Sequence, residues 1–197
     1  LMTYVKDEGI ANLVSISGDH HMHFAGELYD DFDGEAPIPV GVEFSVAAIS
    51  SKPTFWSLYE QSFLPPAFKK MAFMELENGA DREIVELFNL TLLQGARAAA
   101  AASDALDKDV GRATRNARQN PHLRYIDSGA NGYGVVHVYA DKLVARLVST
   151  NRASDLPGDS GSAIKSEAAF EVPAWTGGEA PALSPPTVSG RPAYPFG

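Results

Sequence analysis

The sequence predicts a mixed α/β (α+β) fold, and three stretches carry that prediction. Residues 13–17 form a short, branched apolar run between polar residues, which is typical of a buried strand. From residue 81 onward, apolar side chains recur every three to four residues, as they do along one face of a helix. Residues 133–149 alternate across a short turn, which indicates antiparallel strands. The chain has 197 residues, of which 45 % are hydrophobic, so it can bury a core.

Composition excludes several classes of function. The net charge is −9, with 25 acidic against 16 basic side chains, which argues against nucleic acid or an anionic membrane as the main partner. The chain has no cysteine, so disulfides, Fe–S clusters and cysteine-ligated zinc are excluded within it. No apolar run approaches the ~18 residues that a membrane span needs. The first residues lack the features of a signal peptide, and we expect the chain to be a piece of a longer protein.

A cluster of polar side chains directly follows the first predicted strand. Asp19, His20, His21 and His23 lie within five residues, although the whole chain has five histidines. Gly18 precedes them and is expected to let the backbone turn sharply. Open α/β sheets place their sites at the carboxyl ends of strands. Because carboxylate oxygen and imidazole nitrogen together suit a divalent or trivalent metal, the cluster predicts half of a metal centre.

The next segments predict a turn, a strand and an aromatic region. Within the acidic stretch 27–35, residues 31–34 are similar to a calcium loop that lacks most of its ligands, and they predict an acidic turn instead. Residues 40–49 are apolar and branched, and they predict a second buried strand that ends in a small polar turn. Residues 54–74 are rich in aromatic residues and proline, which indicates either a lid over a pocket or core packed under a loop.

The middle of the chain predicts two helices or one kinked helix. Residues 96–102 are almost all alanine, the best helix former, while Gly95 and Gly111 are weak points. Three cations follow at a spacing of three residues and are expected to share one solvated helical face: Arg112, Arg115 and Arg118.

The last third predicts strands and then an extended tail. Residues 123–127, 133–139 and 143–149 predict three consecutive strands of an antiparallel meander, and residues 168–172 predict one further strand. Residues 173–197 are rich in proline and glycine, so we expect them to be extended and either to wrap the domain or to stay mobile.

Several short motifs, in this order, resemble one known family. They are Gly18-Asp19-His20-His21 with Phe24, then Val42-Glu43-Phe44 with Ser50-Ser51, then Asn120-Pro121-His122-Leu123-Arg124-Tyr125, then Asn131-Gly132-Tyr133-Gly134. Together they resemble the carboxy-terminal part of PhoD-like alkaline phosphatases and phosphodiesterases, within the calcineurin-like metallophosphoesterases. The resemblance covers roughly residues 4–172, so we expect residues 1–172 to be the C-terminal part of a metallophosphoesterase domain and residues 173–197 a tail.

The resemblance implies a fold, a reaction and a location. The fold would be a four-layer αββα sandwich, of which this chain supplies the C-terminal sheet and helices. The activity would be metal-assisted hydrolysis of a phosphate ester by a phosphoric-ester hydrolase. The cofactor would be a two-metal centre of iron with calcium, and the enzyme would be periplasmic or secreted.

The resemblance also implies roles for individual residues. Asp19 and His21 match the first and last positions of the family's G-D-x-H motif and would be metal ligands. His20 falls on the variable position and receives no role. His23 falls where the family often has asparagine, so it would contact substrate or metal. The family's upstream ligands have no counterpart here, so an N-terminal fragment or a second chain of the same enzyme would supply them, and the chain alone is expected to be inert.

Two other interpretations use the same residues. His21-x-His23 after a strand is also similar to the H-x-H of zinc-dependent amidohydrolases, whose barrels need about 250 residues and further ligands. Alternatively, the chain is a non-catalytic structural or binding fragment that kept one motif. His122 and His137 are expected to be structural or surface residues in every case.

Overall fold

A computed structural model of the chain describes residues 1–61, 63–79, 81–151 and 163–197. The elements follow one another in this order: α1 (Met2–Asp7), β1 (Leu13–Ser17), β2 (His23–Tyr29), β3 (Pro39–Ser45), α2 (Thr54–Tyr59), α3 (Pro66–Ala72), β4 (Phe73–Asn78), β5 (Asp81–Glu86), α4 (Phe88–Gln94), α5 (Ala96–Ala105), α6 (Lys108–Ala113), β6 (Leu123–Asp127), β7 (Asn131–Val138), β8 (Lys142–Thr150), β9 (Ile164–Pro173) and β10 (Thr187–Gly190).

Two four-stranded sheets face each other. The first has the order β1-β3-β2-β6, in which β1 runs parallel to β3 and the other neighbours are antiparallel. The second has the order β10-β9-β8-β7 and is antiparallel throughout. Their inner faces bury one core, where the Phe44 and Phe170 rings lie 5.6 Å apart between centroids. Alternation along each strand directs these apolar side chains inward.

The helices and the β4–β5 hairpin bury a second core. Met74 and Val85 pair across the hairpin and pack with Leu87, Leu90 and the buried alanines of α5. The small alanine side chains let α5 pack closely on its neighbours. In the part of the chain that the structure describes, no helix is long and apolar enough to cross a membrane.

The predicted strands at 13–17, 40–49, 123–127, 133–139, 143–149 and 168–172 are confirmed as β1, β3 and β6–β9, with shifted ends. The acidic turn predicted at residues 31–34 is confirmed, whereas β2, which continues to Tyr29, was not predicted. Its centre is small and fully buried at Ala25. Its acidic residue, Glu27, is paired with Arg124 at 2.9 Å. β2 is therefore a central strand although it contains glycine and a charged residue, because β3 and β6 pair with it on its two sides.

The helical prediction is wrong at its start and at its end. Residues 81–86 form β5, whose branched Ile84 and Val85 suit a strand. Gly95 does separate α4 from α5, but Gly111 lies inside α6, which ends at Ala113. Arg115 and Arg118 consequently lie beyond the helix and do not continue a helical face with Arg112.

The predicted three-strand meander is wrong in its first step. β6 pairs with β2 in the first sheet, whereas β7 pairs with β8 in the second, so residues 128–130 carry the chain from one sheet to the other.

The fold is thus a mixed α/β arrangement with three sheets among the described residues. It does not fit the amidohydrolase alternative, because β1–β3 is the single parallel pair among the described strands and a (β/α)₈ barrel needs a closed parallel sheet.

The aromatic segment and the tail both contribute to packing. Phe55 in α2 is fully buried, as the core interpretation of residues 54–74 expects, although Phe63 is 77 % exposed. In the tail, β10 pairs with β9, and Trp175 and Tyr194 are buried in the first and second core respectively. The division into domains at residue 172 stays a prediction.

Candidate functional site

The histidine cluster forms a loop between β1 and β2. Val46 donates from its amide to the carbonyl of Ser17 at 3.0 Å, which holds the end of β1 against β3. Asp19 (φ 68°) and His21 (φ 50°) both adopt the left-handed conformation, whereas Gly18 is not among the residues with positive φ. The sharp turn that was expected of Gly18 is therefore made by Asp19 and His21. Left-handed backbone at residues other than glycine is uncommon and concentrates at functional sites.

The His21 ring is held by the backbone of the next turn. Its Nδ1 lies 3.0 Å from the carbonyl oxygen of Lys52, an oxygen that can only accept, so in the neutral ring Nδ1 carries the proton and Nε2 has the lone pair. Metal-ligating histidines are oriented in this way, by a hydrogen bond from the other ring nitrogen. The amide of Thr54 donates to the His21 carbonyl at 3.1 Å, and its hydroxyl donates to the carbonyl of His20. The loop is thus fixed to the start of α2.

Asp19 is exposed on the same loop. Its carboxylate makes no hydrogen bond or ion pair with the described part of the chain, so both oxygens are available to a cation. The loop therefore offers an oxygen and a nitrogen ligand, which fits a part of a metal site. Over residues 1–61, 63–79, 81–151 and 163–197, no group of three or more histidine, aspartate and glutamate side chains is close enough together to hold a metal by itself.

His23 points into the protein and is fully buried. The amide of Ala47 donates to its Nδ1 at 3.0 Å, and its Nε2 donates to the carbonyl of Val148 at 3.2 Å. This pattern requires the neutral ring with the proton on Nε2. Burial lowers the pKa of His23, although the nearby Asp127 carboxylate acts in the opposite direction. A contact between this ring and substrate stays a prediction.

A buried polar group that the sequence did not indicate lies beside His23. Asp127 is its register partner on β6 and is fully buried. The hydroxyl of Ser149 donates to Asp127 Oδ2 at 2.9 Å. The side-chain Nδ2 of Asn131 donates to the carbonyls of Ala48 and Ser51, at 3.0 and 2.7 Å, and ties the polar turn to β7. Short polar residues inside strands carry no pattern that distinguishes them from surface positions, so this group could not be found from sequence.

The two remaining histidines lie outside the loop. His122 packs edge-on against Phe32, with 4.9 Å between ring centroids, and burial lowers its pKa. His137 lies in β7 and stacks on Tyr139 at 6.4 Å. The structure therefore brings Asp19 and His21 together on one loop and separates them from the other two.

Comparisons with known proteins agree with the motifs. A family model described as PhoD-like phosphatase matches residues 1–147. A solved structure of PhoD is similar at 15 % sequence identity and a TM-score of 0.49, over 98 % of this chain and 25 % of that one. The chain thus spans about a quarter of the length of that structure. No curated protein matches the chain.

Proposed function

The chain belongs to the PhoD-like phosphatase family, a family of metal-dependent hydrolases, and we propose that it forms the C-terminal part of an enzyme that hydrolyses phosphate esters. The matching family model covers three quarters of the chain, and the described loop carries two candidate ligands. The substrate would be a phosphomonoester or phosphodiester, as in alkaline phosphatases and phosphodiesterases of this type. Because the family is typically secreted, we further propose a periplasmic or secreted location.

We propose that Asp19 and His21 bind the metal centre, which would contain iron and calcium. The single observation that carries this proposal is the hydrogen bond from His21 Nδ1 to Lys52, which leaves Nε2 free on a loop that also exposes the Asp19 carboxylate. A bound pair of metal ions would supply Lewis-acid stabilisation of the phosphate oxygens. Asp19 would contribute a hard oxygen, His21 a borderline nitrogen, and Thr54 would hold the loop in place.

The role of His23 is better described as positioning. A direct contact with substrate would require its ring to give up two buried hydrogen bonds, which is costly. We propose instead that His23 anchors the C-terminal end of the histidine loop to both sheets. His21 lies two residues before this anchor, so its orientation depends on it.

The remaining ligands would come from polypeptide outside this chain. Two side chains cannot complete a two-metal centre, and the chain spans a quarter of the similar PhoD structure. We propose that an N-terminal fragment or second chain of the same enzyme supplies them. This chain would then provide the C-terminal sheet and helices of a four-layer αββα sandwich.

The test compares variants of the complete enzyme. Asp19→Ala and His21→Ala should each reduce the bound iron and calcium, measured by elemental analysis, and should reduce turnover of an aryl phosphate. His137→Ala removes an exposed histidine from β7 and is the matched control for both measurements. The isolated chain 1–197 should show no turnover.

Three results would contradict the proposal. Full metal content in both loop variants would exclude them as ligands. Lost metal with unchanged turnover would favour the non-catalytic interpretation. Full turnover by residues 1–197 alone would exclude a need for further polypeptide.

A further inference from the structure

A cleft apart from the histidine loop is lined in part by α2. It encloses about 280 Å³, near the lower end of ligand-binding cavities, and its lining includes Trp56, Lys165 and Arg191. Its walls come from α2, from the turn after β6, and from the strands at one edge of the second sheet. None of the ligands proposed above lines it.

The fold places the two cations of this cleft side by side. The amide of Arg191 donates to the carbonyl of Lys165 at 2.9 Å. Gly190 (φ 79°) makes this approach possible, because a Cβ atom there would lie 2.5 Å from the same carbonyl oxygen. Only glycine combines this backbone conformation with so close an approach.

Neither cation forms an ion pair within the described part of the chain. Arg191 donates from Nη2 to the amide oxygen of Asn151 at 3.1 Å, and Lys165 makes no side-chain hydrogen bond to described residues. In a protein with a net charge of −9, two adjacent cations that form no ion pair with described residues create a local attraction for anions.

The helix α2 connects the cleft to the histidine loop. Thr54 binds the loop through the His21 carbonyl, and Trp56 lies two residues further along α2. The amide of Phe55 donates to the carbonyl of Ser128 at 2.9 Å, and Gly129 follows in the cleft wall. The cleft and the proposed metal loop are therefore held by the same helix.

The other lining residues restrict the ligand. Trp56 offers an aromatic surface of the kind that binds the apolar body of a ligand. Glu86 lines the cleft beside Gly129. The lining thus suits a small organic molecule with an apolar body and an oxyanion.

We propose that this cleft is a subsite for a small organic anion, whose oxyanion binds Lys165 and Arg191 and whose apolar body packs on Trp56. The proposal rests on the proposed function insofar as the ligand is the organic arm of the phosphate-ester substrate. The ligand would carry an oxyanion on a ring or chain, and this oxyanion would be either a carboxylate or a phosphate.

The test is a titration of the metal-free chain in EDTA, followed by tryptophan fluorescence. Trp56 and Trp175 are the two tryptophans, so Trp175→Phe leaves Trp56 as the sole reporter. Benzoate and phenyl phosphate serve as the ring-bearing anions, phenol as the neutral ring and inorganic phosphate as the bare anion. If Trp175→Phe fails to fold, the indole Nε1–H signals of the wild-type chain in an NMR titration give the same information.

We expect saturable changes with benzoate, phenyl phosphate or both, and weaker binding of phenol and inorganic phosphate. Lys165→Ala and Arg191→Ala should each raise the apparent Kd about tenfold, as expected for the loss of one charged hydrogen bond. Arg115→Ala removes an exposed cation outside the cleft and should leave the Kd unchanged.

Absence of binding, equal binding of phenol, or equal weakening by Arg115→Ala would overturn the subsite. Equal binding of inorganic phosphate would exclude a role for Trp56. Since the titration uses no metal, these outcomes are independent of the elemental analysis that tests Asp19 and His21.

Discussion

His23 and Ala47 are joined by a hydrogen bond of 3.0 Å, from the backbone amide of Ala47 to the ring Nδ1. The same ring donates from Nε2 to the carbonyl of Val148 in β8, so one side chain links the first sheet to the second. It does so two residues after a proposed metal ligand. The stability of the sheet pair and the geometry of the loop are therefore coupled.

Replacing His23 with alanine should destabilise the protein by about 3 kcal/mol, because the Ala47 amide would lose its partner and both buried hydrogen bonds of the ring would be lost. The free energy of unfolding from urea titration measures this. His137→Ala, at an exposed position in β7, should change the same quantity by less than about 0.5 kcal/mol. Equal effects would show that the His23 hydrogen bonds contribute nothing.

Stability should fall as the pH falls below about 6.5, the ordinary pKa of histidine. Burial lowers the pKa of His23, so the unfolded chain binds a proton in a pH range where the folded chain does not. This contribution is fully present above the unfolded pKa and is lost towards the folded one. His122, whose pKa burial also lowers, contributes with the same sign. In urea titrations at a series of pH values, His23→Asn should make the free energy of unfolding depend less on pH. An unchanged pH dependence would contradict the assignment of this effect to His23.

Gly132→Ala should destabilise the protein by about 2–3 kcal/mol through overpacking. A Cβ at this position would lie 2.0 Å from the Val148 carbonyl oxygen and 2.7 Å from His23 Nε2, so β7 must shift away from β8. Gly18→Ala is the matched control, because its Cβ would meet only the Val46 carbonyl, at 4.0 Å. Thermal unfolding of both variants separates the two cases, and similar melting temperatures would refute the clash.

Trp175→Ala should cost about 4 kcal/mol, since it removes a large side chain from the core between the sheets. Its backbone amide donates to Asn12 Oδ1 at 2.9 Å, so the tail is also attached near β1. Phe63→Ala, at a position that is 77 % exposed, should be nearly neutral. A neutral result for Trp175→Ala in denaturant titration would show that the tail is not part of the folded unit.

Thr54→Val should weaken metal binding about tenfold in the complete enzyme while leaving the fold intact. The substitution removes the hydroxyl that donates to the His20 carbonyl and keeps the side-chain volume. Calorimetric titration with metal measures the affinity. Ser57→Ala, which removes a hydroxyl bonded to Pro53 on the same helix, should have no effect on affinity. Equal affinities in all three proteins would disprove support of the loop by Thr54.

Apolar alternation was sufficient to predict most strands of both sheets, but not how the strands are paired. β2 was missed because Ala25 and Gly26 are small and Glu27 is charged; its place in the sheet depends on partners that are distant in sequence. β5 was taken for a helix because charged and branched residues alternate there in a spacing that also fits a helical face. The change of sheet after β6 is invisible in sequence, since a three-residue connection predicts a hairpin.

The candidate site was likewise only partly predictable from the sequence. Clustering and position after a strand were enough to select Asp19 and His21. The inward orientation of His23 could not be predicted, because it depends on β2, a strand that the sequence did not indicate. The cleft around Lys165 and Arg191 joins residues that are far from the loop in sequence, and no motif connects them.

β1 has one neighbour, β3, among the described strands, and it forms the outer margin of its sheet with Ile16 59 % exposed. Along its other side, the peptide groups pair with no strand among the described residues. A preparation of residues 1–197 at high concentration will therefore be prone to self-association through this margin, and a polypeptide that adds a strand beside Leu13–Ser17 will suppress it.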